Sequence, residues 1–364
     1  MNMKAAIISL GSDSSVWTAE AMKKHFQKLD HLSLKNIEIT FSGNQAELLY
    51  EGKPLPDYDC IYAKGSFRYA AILRALTCLR YDKCYMPIRE EAFAIAHDKF
   101  LTQLVFQRNQ IPMPKTYLAA TVTAARQILK NIAYPIIMKF PQGTQGKGVM
   151  VADTFASASS ILDALTALKQ PFIIQEFVDT ETEKSGGSHV RGFVIGDRVA
   201  AAVRYRSESS EKRSNWHLGG KVEPIQLEAG MVQLAVKAAK ASAAEICAVD
   251  MLESHKGPVV IETNISPGLG GITKVTKVDL AEQIAKFLAQ KTQEQLEAAK
   301  SKSAKNLMRE LDVKGAQELI TNLDFRGNRI LLPEIITKLT RFHEEDNFEI
   351  KVQSGKLEIK KFNV

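Results

Sequence analysis

The segment "VVIETNISPG", Val259 to Gly268, constrains the fold of this chain more than any other. Three apolar residues lead into Glu262 and Asn264, and Ser-Pro-Gly then ends the run with a turn signal. A two-residue period puts Glu262 and Asn264 on one face of a strand, roughly 7 Å apart. A carboxylate is not left unpaired in a core, so Glu262 needs a cation, donors or water at the strand end. Upstream, "AVDML" is a second apolar run, joined to the first by the turn-rich "ESHKG". A hairpin centred near His255–Lys256 puts Asp250 opposite Glu262, with Cβ atoms about 4.5–5.5 Å apart. Two carboxylates that close repel unless a cation lies between them. With Asn264 the donor set is all oxygen, the preference of Mg²⁺, which takes one or two carboxylates plus substrate phosphates. The competing reading is a salt-bridged Asp250 beside a solvated Glu262.

Alternation of strand and helix patterns organises the rest. Residues 1–90 read as an N-terminal α/β domain with a mostly parallel sheet, from "KAAIISLG", a helix near 17–29, "NIEITF", "ELLYEG", "YDCIYAKG" and an amphipathic stretch at 68–80. Residues 91–178 form a second unit, opening with a helix over 91–110 that two prolines stop. It continues with a helix at 122–131, "YPIIMKF", a glycine loop, "GVMVAD", a helix at 156–168 and "PFIIQEFV". Residues 179–290 are a third unit, with "HVRGFVIG", "RVAAAVRYR", a polar loop at 207–221, a helix at 228–244 and the acidic hairpin. Residues 291–305 read as an extended helix or linker, and 306–364 as a small appended module with two terminal strands.

Two loops have the chemistry of anion sites. In "MKFPQGTQGKGVMV", Gly143, Gly146 and Gly148 surround Thr144, Gln145 and Lys147. Glycines free backbone N–H groups to face a phosphate, although an ordinary turn has the same composition. Lys139 ends the preceding buried strand and needs an anion there. "RYRSESSEKRSNWHLGG" gathers Arg204, Arg206, Arg213, Asn215 and His217, as a phosphate or carboxylate site or as a solvated charged loop. Arg191 lies mid-strand, where a buried guanidinium requires a fixed anionic partner. Gln175 and Glu176 end an apolar strand of the kind that hydrogen-bonds a purine edge, or simply a strand.

Composition narrows the classes. With 364 residues, 45% hydrophobic, the chain builds two or three packed units. Cys60, Cys78, Cys84 and Cys247 have no CxxC pairing and read as reduced, buried thiols of a cytoplasmic protein. No apolar run reaches about 18 residues, so no membrane span is expected, and the N-terminus reads as a strand rather than a signal peptide. A net charge of +7 favours anionic ligands, with no nucleic-acid-binding pattern beside it.

Together these motifs resemble the ATP-grasp superfamily, and within it the RimK-type carboxylate–amine ligases that add glutamate. "GTQGKGV", "QEFV", "VRGFVIGDRVAAAVRYR", "RSNWHLGG", "AVDML" and "VIETNISPGL" occur in family order between about 85 and 290. The resemblance implies an ATP-grasp fold behind an N-terminal parallel-sheet domain. It implies ATP and Mg²⁺, with Mn²⁺ as the other ion considered. Lys99 and Lys139 then contact phosphates, and residues Gly143 to Gly148 form the lid hairpin, with Gly143, Thr144, Gln145, Gly146 and Gly148 at the nucleotide. Gln175, Glu176, Phe177 and Val178 take the adenine and ribose side. Arg213, Ser214 and Asn215 line the nucleotide and acyl-phosphate pocket, with Arg213, Asn215 and Arg191 as catalytic residues and Asp250, Glu262 and Asn264 as metal ligands. The chain departs from the pattern at His189, where the family has an aspartate beside the nucleotide, at Leu218, and at Ala63-Lys64 in place of a Pro-Arg pair. The implied activity joins an amino acid, L-glutamate, to a carboxylate acceptor, a protein C-terminus or a small molecule, in a homo-oligomer without membrane or nucleic-acid partners. The alternatives are a coenzyme or dipeptide ligase of the same fold, or a nucleotide-binding scaffold without turnover.

Overall fold

Apolar runs become buried strands, and capped amphipathic runs become the helices that cover them. The computed structural model describes residues 2–143, 148–180, 188–206 and 221–310 (side chains to 301), and 324–327, 329–334, 336, 340, 342–343 and 345–362. Contacts divide the chain into two units, Met1–Lys302 and Ser303–Val364. The elements run β1 (Lys4–Ser9), α1 (Asp13–Met22), β2 (Lys28–Ser33), β3 (Ile37–Ser42), β4 (Gln45–Tyr50), β5 (Lys53–Pro54), β6 (Cys60–Ala63), α2 (Ala70–Arg80), α3 (Glu90–Ile95) and α4 (Lys99–Arg108). Next come β7 (Thr116–Tyr117), α5 (Val122–Asn131), β8 (Ile136–Lys139), β9 (Val149–Ala152), α6 (Phe155–Ala167), β10 (Ile173–Glu176), β11 (Ser188–Ile195), β12 (Arg198–Arg206) and β13 (Lys221–Pro224). Then follow α7 (Ala229–Ala241), β14 (Ile246–Ser254), β15 (Gly257–Asn264), α8 (Gly270–Thr276) and α9 (Leu280–Glu310), which contains the stretch 291–305. The second unit holds the hairpins β16 (Asp324–Arg326) with β17 (Arg329–Leu331), and β18 (Asn347–Gln353) with β19 (Lys356–Phe362).

Three sheets position the site. The N-terminal parallel sheet has the order β2-β1-β6, the middle sheet β7-β10-β8-β9, and the third β13-β12-β11-β14-β15 with all pairs antiparallel. One continuous core joins the first sheet to the third, from Ile7 and Tyr62 through Phe93 to Val249 and Leu288. The middle sheet has its own core around Leu129, Met138, Leu162 and Ile174.

Among the described residues the expected elements and thiols hold with four corrections, while the polar loop expected at 207–221 lies outside the described residues up to position 220. The helix expected near 17–29 ends at Met22, and "KLDHLS" pairs with β1 as β2 instead. Its side chains are half-buried or exposed, so no strong apolar alternation marks it. The helix expected over 91–110 is two helices, because Asp98 leaves helical geometry and accepts hydrogen bonds from Phe100 N (2.9 Å) and Leu101 N (3.0 Å) as the cap of α4. "NIEITF" and "ELLYEG" form a separate antiparallel meander, β3-β4-β5, outside the parallel sheet. Cys60, Cys84 and Cys247 are buried free thiols, but Cys78 is exposed. Among the described residues no helix is long and apolar enough to cross a membrane.

Candidate active site

The acidic hairpin is paired as Asp250 opposite Glu262, though not by the simple register. A two-residue turn pairs Ser254 with Gly257 and Met251 with Val260. A β-bulge then makes Ile261 the extra residue, and Asp250 meets Glu262. Without it Glu262 would fall on the opposite face, since side chains alternate along a strand. Asn264 follows on the Glu262 face, and its Oδ1 accepts from Ser266 N at 3.0 Å as the chain turns.

Asp250 is 5% exposed and lies beside Arg191 on the neighbouring strand β11. Arg191 Nε donates to Oδ1 and Nη2 to Oδ2, each at 2.7 Å, in a bidentate fork. Burial acts to raise the Asp250 carboxyl, but the guanidinium outweighs it and holds the group below the usual carboxylate range. Arg191, expected from the family pattern to be catalytic, is thus paired through both of these nitrogens with Asp250. The guanidinium also stands 5.5 Å from the Tyr205 ring, on which His189 stacks at 4.6 Å with 12° between planes. Glu262 is more open, with 40% of its side chain exposed, and Lys99 Nζ lies 3.7 Å from its Oε2.

Lys99 begins α4, and its ammonium also donates to Gly143 O at 2.9 Å. Lys139, at the end of β8, is 4% exposed and donates to Gln175 Oε1 at 2.8 Å. Burial draws its pKa down to about 8, with Glu262 opposing and Lys99 adding to the shift. A buried ammonium with a neutral hydrogen-bond partner, beside a second lysine, is suited to a polyanion. At the foot of the glycine loop, Gly148 adopts φ +78°, and a Cβ there would come 2.2 Å from the Phe140 ring. Glu176 does not end free: its carboxylate accepts from Lys115 N (2.8 Å), and its own N–H donates to Lys115 O (2.9 Å). Phe177 and Val178 follow it, half-buried. Thr144, Gln145, Gly146, Arg213, Ser214 and Asn215 lie outside the described residues.

Among the described residues no three or more His, Cys, Asp or Glu side chains gather to hold a metal. The donor set present is two carboxylates and an amide oxygen from paired strands. Each Asp250 oxygen accepts one bond from Arg191 and keeps a further lone pair. Those oxygens fit Mg²⁺ when phosphates complete the shell.

Residues 96–288 match the family model of the RimK-like ATP-grasp domain. The chain belongs to the RimK-like ATP-grasp family. Two curated relatives are probable alpha-L-glutamate ligases, from Thioalkalivibrio sulfidiphilus (strain HL-EbGR7) and Vibrio atlanticus (strain LGP32). They are 34% and 32% identical over 298 and 295 residues, which covers 79% of this chain and 96% and 95% of theirs. The fold is also that of the ATP-grasp ligase PsnB, solved with a minimal precursor, Mg and ADP. It aligns at a TM-score of 0.61 and 16% identity, over 80% of this chain and 98% of that one. The RimK-like chain is an ATP-grasp carboxylate–amine ligase.

Two residues of the RimK-like site escaped the sequence reading. Gln175 Nε2 donates to Thr116 Oγ1 (2.7 Å), Thr116 Oγ1 stands 3.2 Å from Gln103 Oε1, and Gln103 Nε2 donates to Ile261 O (3.3 Å). Thr116 and Gln103 thus link the buried Lys139 to the bulge residue of β15. Each is a single polar residue in an unremarkable run, and only the tertiary fold brings them together.

Proposed function

We propose that the chain couples ATP cleavage to amide formation between the amine of L-glutamate and a carboxylate acceptor. A carboxylate oxygen of the acceptor bonds to the γ-phosphorus as the bond to the bridging oxygen of ADP breaks, giving an acyl phosphate. The glutamate amine then attacks the acyl carbon, the C–O bond to phosphate breaks, and the surplus amine proton leaves to solvent. The observation that carries this reading is the meeting of Lys99 with Glu262, at 3.7 Å, beside the buried Lys139. Lysines suited to phosphate stand against carboxylates suited to a metal, and phosphoryl transfer depends on such positioning and charge neutralisation.

In this reading Lys99 and Lys139 bind the phosphates, and Gly143 to Gly148 cover them. Gln175 holds Lys139 in place, while Glu176, Phe177, Val178 and His189 line the nucleoside side. Asp250, Glu262 and Asn264 hold Mg²⁺, which when bound neutralises phosphate charge. Arg213, Ser214 and Asn215 are assigned to the acyl-phosphate pocket on the family pattern. The names of the curated relatives support glutamate as the added amino acid. A net charge of +7 and a fold shared with a ligase solved with its precursor support an anionic peptide end as acceptor.

The test is ADP release by the full chain with ATP, Mg²⁺, L-glutamate and a panel of acceptors, followed by intact-mass analysis. The expected result is ADP formation dependent on acceptor, with the acceptor heavier by glutamyl residues. ADP formation with small acceptors alone would move the acceptor from peptide to coenzyme, and silence with every pair would make the chain a nucleotide-binding scaffold.

A further inference from the structure

Lys64 stands at the carboxyl end of β6, and ligands of open parallel sheets gather at such ends. The residue is 5% exposed. Its backbone N–H donates to Ile8 O at 2.9 Å, which places it beside the end of β1. Among the described residues its ammonium has no hydrogen bond or ion pair, and the Tyr62 ring lies 5.6 Å from Nζ to centroid. The Tyr62 hydroxyl is buried and unpartnered too. A desolvated ammonium without an anion costs folding free energy, so the packing around Lys64 answers no need of the fold.

Its surroundings lead to the reaction centre. The next residue, Gly65, donates its N–H to Ser266 Oγ at 3.1 Å, and Ser266 N donates to Asn264 Oδ1 at 3.0 Å. A Cβ on Gly65 would come 2.7 Å from Leu34 Cδ2, so this turn is held by close packing as well. Leu269 N donates to Ser14 Oγ at 2.8 Å and pins the loop after β15 to α1. Lys64 is therefore tied to the end of the strand that bears Glu262 and Asn264. It approaches from the N-terminal sheet, whereas Lys99 and Lys139 come from α4 and the middle sheet. An anion held at Lys64 belongs to the substrate that meets the nucleotide.

We propose that Lys64 binds a non-reacting carboxylate of the second substrate, either on the incoming acidic amino acid or on the acceptor, and so selects for acidic substrates. This rests on the ligase reading above. Lys64→Met keeps the aliphatic stem and removes the charge. In the full chain, Lys64→Met is expected to bind Mg-AMPPNP by calorimetry within about twofold of wild type and to raise KM for the carboxylate-bearing substrate at least about tenfold, with kcat much less affected. Comparing L-glutamate with L-glutamine, and an acceptor with its amidated form, identifies the source: discrimination collapses in the arm whose carboxylate Lys64 holds. Lys64→Arg should recover part of the lost discrimination. Unchanged KM and unchanged discrimination in both arms would overturn the assignment. Wild type that binds Mg-AMPPNP but releases no ADP with any pair would instead sink the ligase reading. Glutarate then decides Lys64 by itself, since wild type with Mg-AMPPNP should bind it and Lys64→Met should not; equal binding by both refutes the role. Should Lys64→Met fail the thermal-melt control, Lys64→Gln takes its place in the same assays.

Discussion

A lysine ammonium in a water-poor site is a stored electrostatic cost, and the described residues hold two, Lys64 and Lys139. For Lys139 the expected return is on phosphate: Lys139→Met should cut ADP release at least about 100-fold while circular dichroism stays unchanged, because a preorganised cation is lost from the phosphoryl site. For Lys64 the cost is legible in stability. Burial draws its pKa from 10.5 to about 8. Between those values the unfolded chain binds a proton that the folded chain does not, so the stability from this group rises with pH. Below pH 8 both states are protonated and the full penalty applies. Lys64→Met should therefore exceed wild type in unfolding free energy by about 3 kcal/mol near neutrality, and the gap should close toward about pH 10. Denaturant titrations of both proteins at each pH measure this, and the difference between them cancels other titrating groups. A variant less stable than wild type near neutrality would mean that Lys64 supports the fold. Lys139 was legible in the sequence because its strand and loop bracket it, and Asp250 because its hairpin does. Lys64 was visible only as a departure from a family pattern; its burial was not written in its neighbours.

At the scale of elements, the bulge at Ile261 decides what β15 presents. Deleting Ile261 joins Val260 to Glu262, so the simple register then pairs Glu262 with Asp250 without a bulge. The expected outcome is that Mg-dependent nucleotide binding by calorimetry survives with the sheet content kept, because the pairing rather than the bulge itself sets the face. Lost binding with intact sheet content would give the bend of the bulge a role of its own. The hairpin itself could be read from its two apolar runs and turn residues, and its ends came out close to the observed β14 and β15. The bulge could not, because a strand with one extra residue has the same composition as one without. The break between α3 and α4 stayed hidden for a similar reason: the apolar period runs on through Asp98, and only a side chain folding back onto Phe100 N and Leu101 N ends the one helix and starts the other. β2 was missed because a strand with half-buried side chains lacks the alternation that marks a sheet surface.

For the whole molecule, the unit Met1–Lys302 contains all of the stretch 96–288 that the family model matches. A chain ended at Glu310, which keeps α9 intact, should show the same rise in melting temperature with Mg-AMPPNP as the full chain. A lost or halved rise would bring the second unit into nucleotide binding. The layered arrangement of the first unit was legible in its order of strands and helices, since each sheet is built from runs that close on themselves. Which polar side chains meet between sheets was not, because Gln103, Thr116 and Gln175 come from three separate elements.

The relay from Lys139 through Gln175, Thr116 and Gln103 to Ile261 O acts as a spacer of fixed length between the buried ammonium and the strand that bears Glu262. Its rungs are side chains, so the gauge it sets changes with a single methylene. Gln103→Asn would leave every functional group in place and still put the two halves of the chemistry out of tolerance.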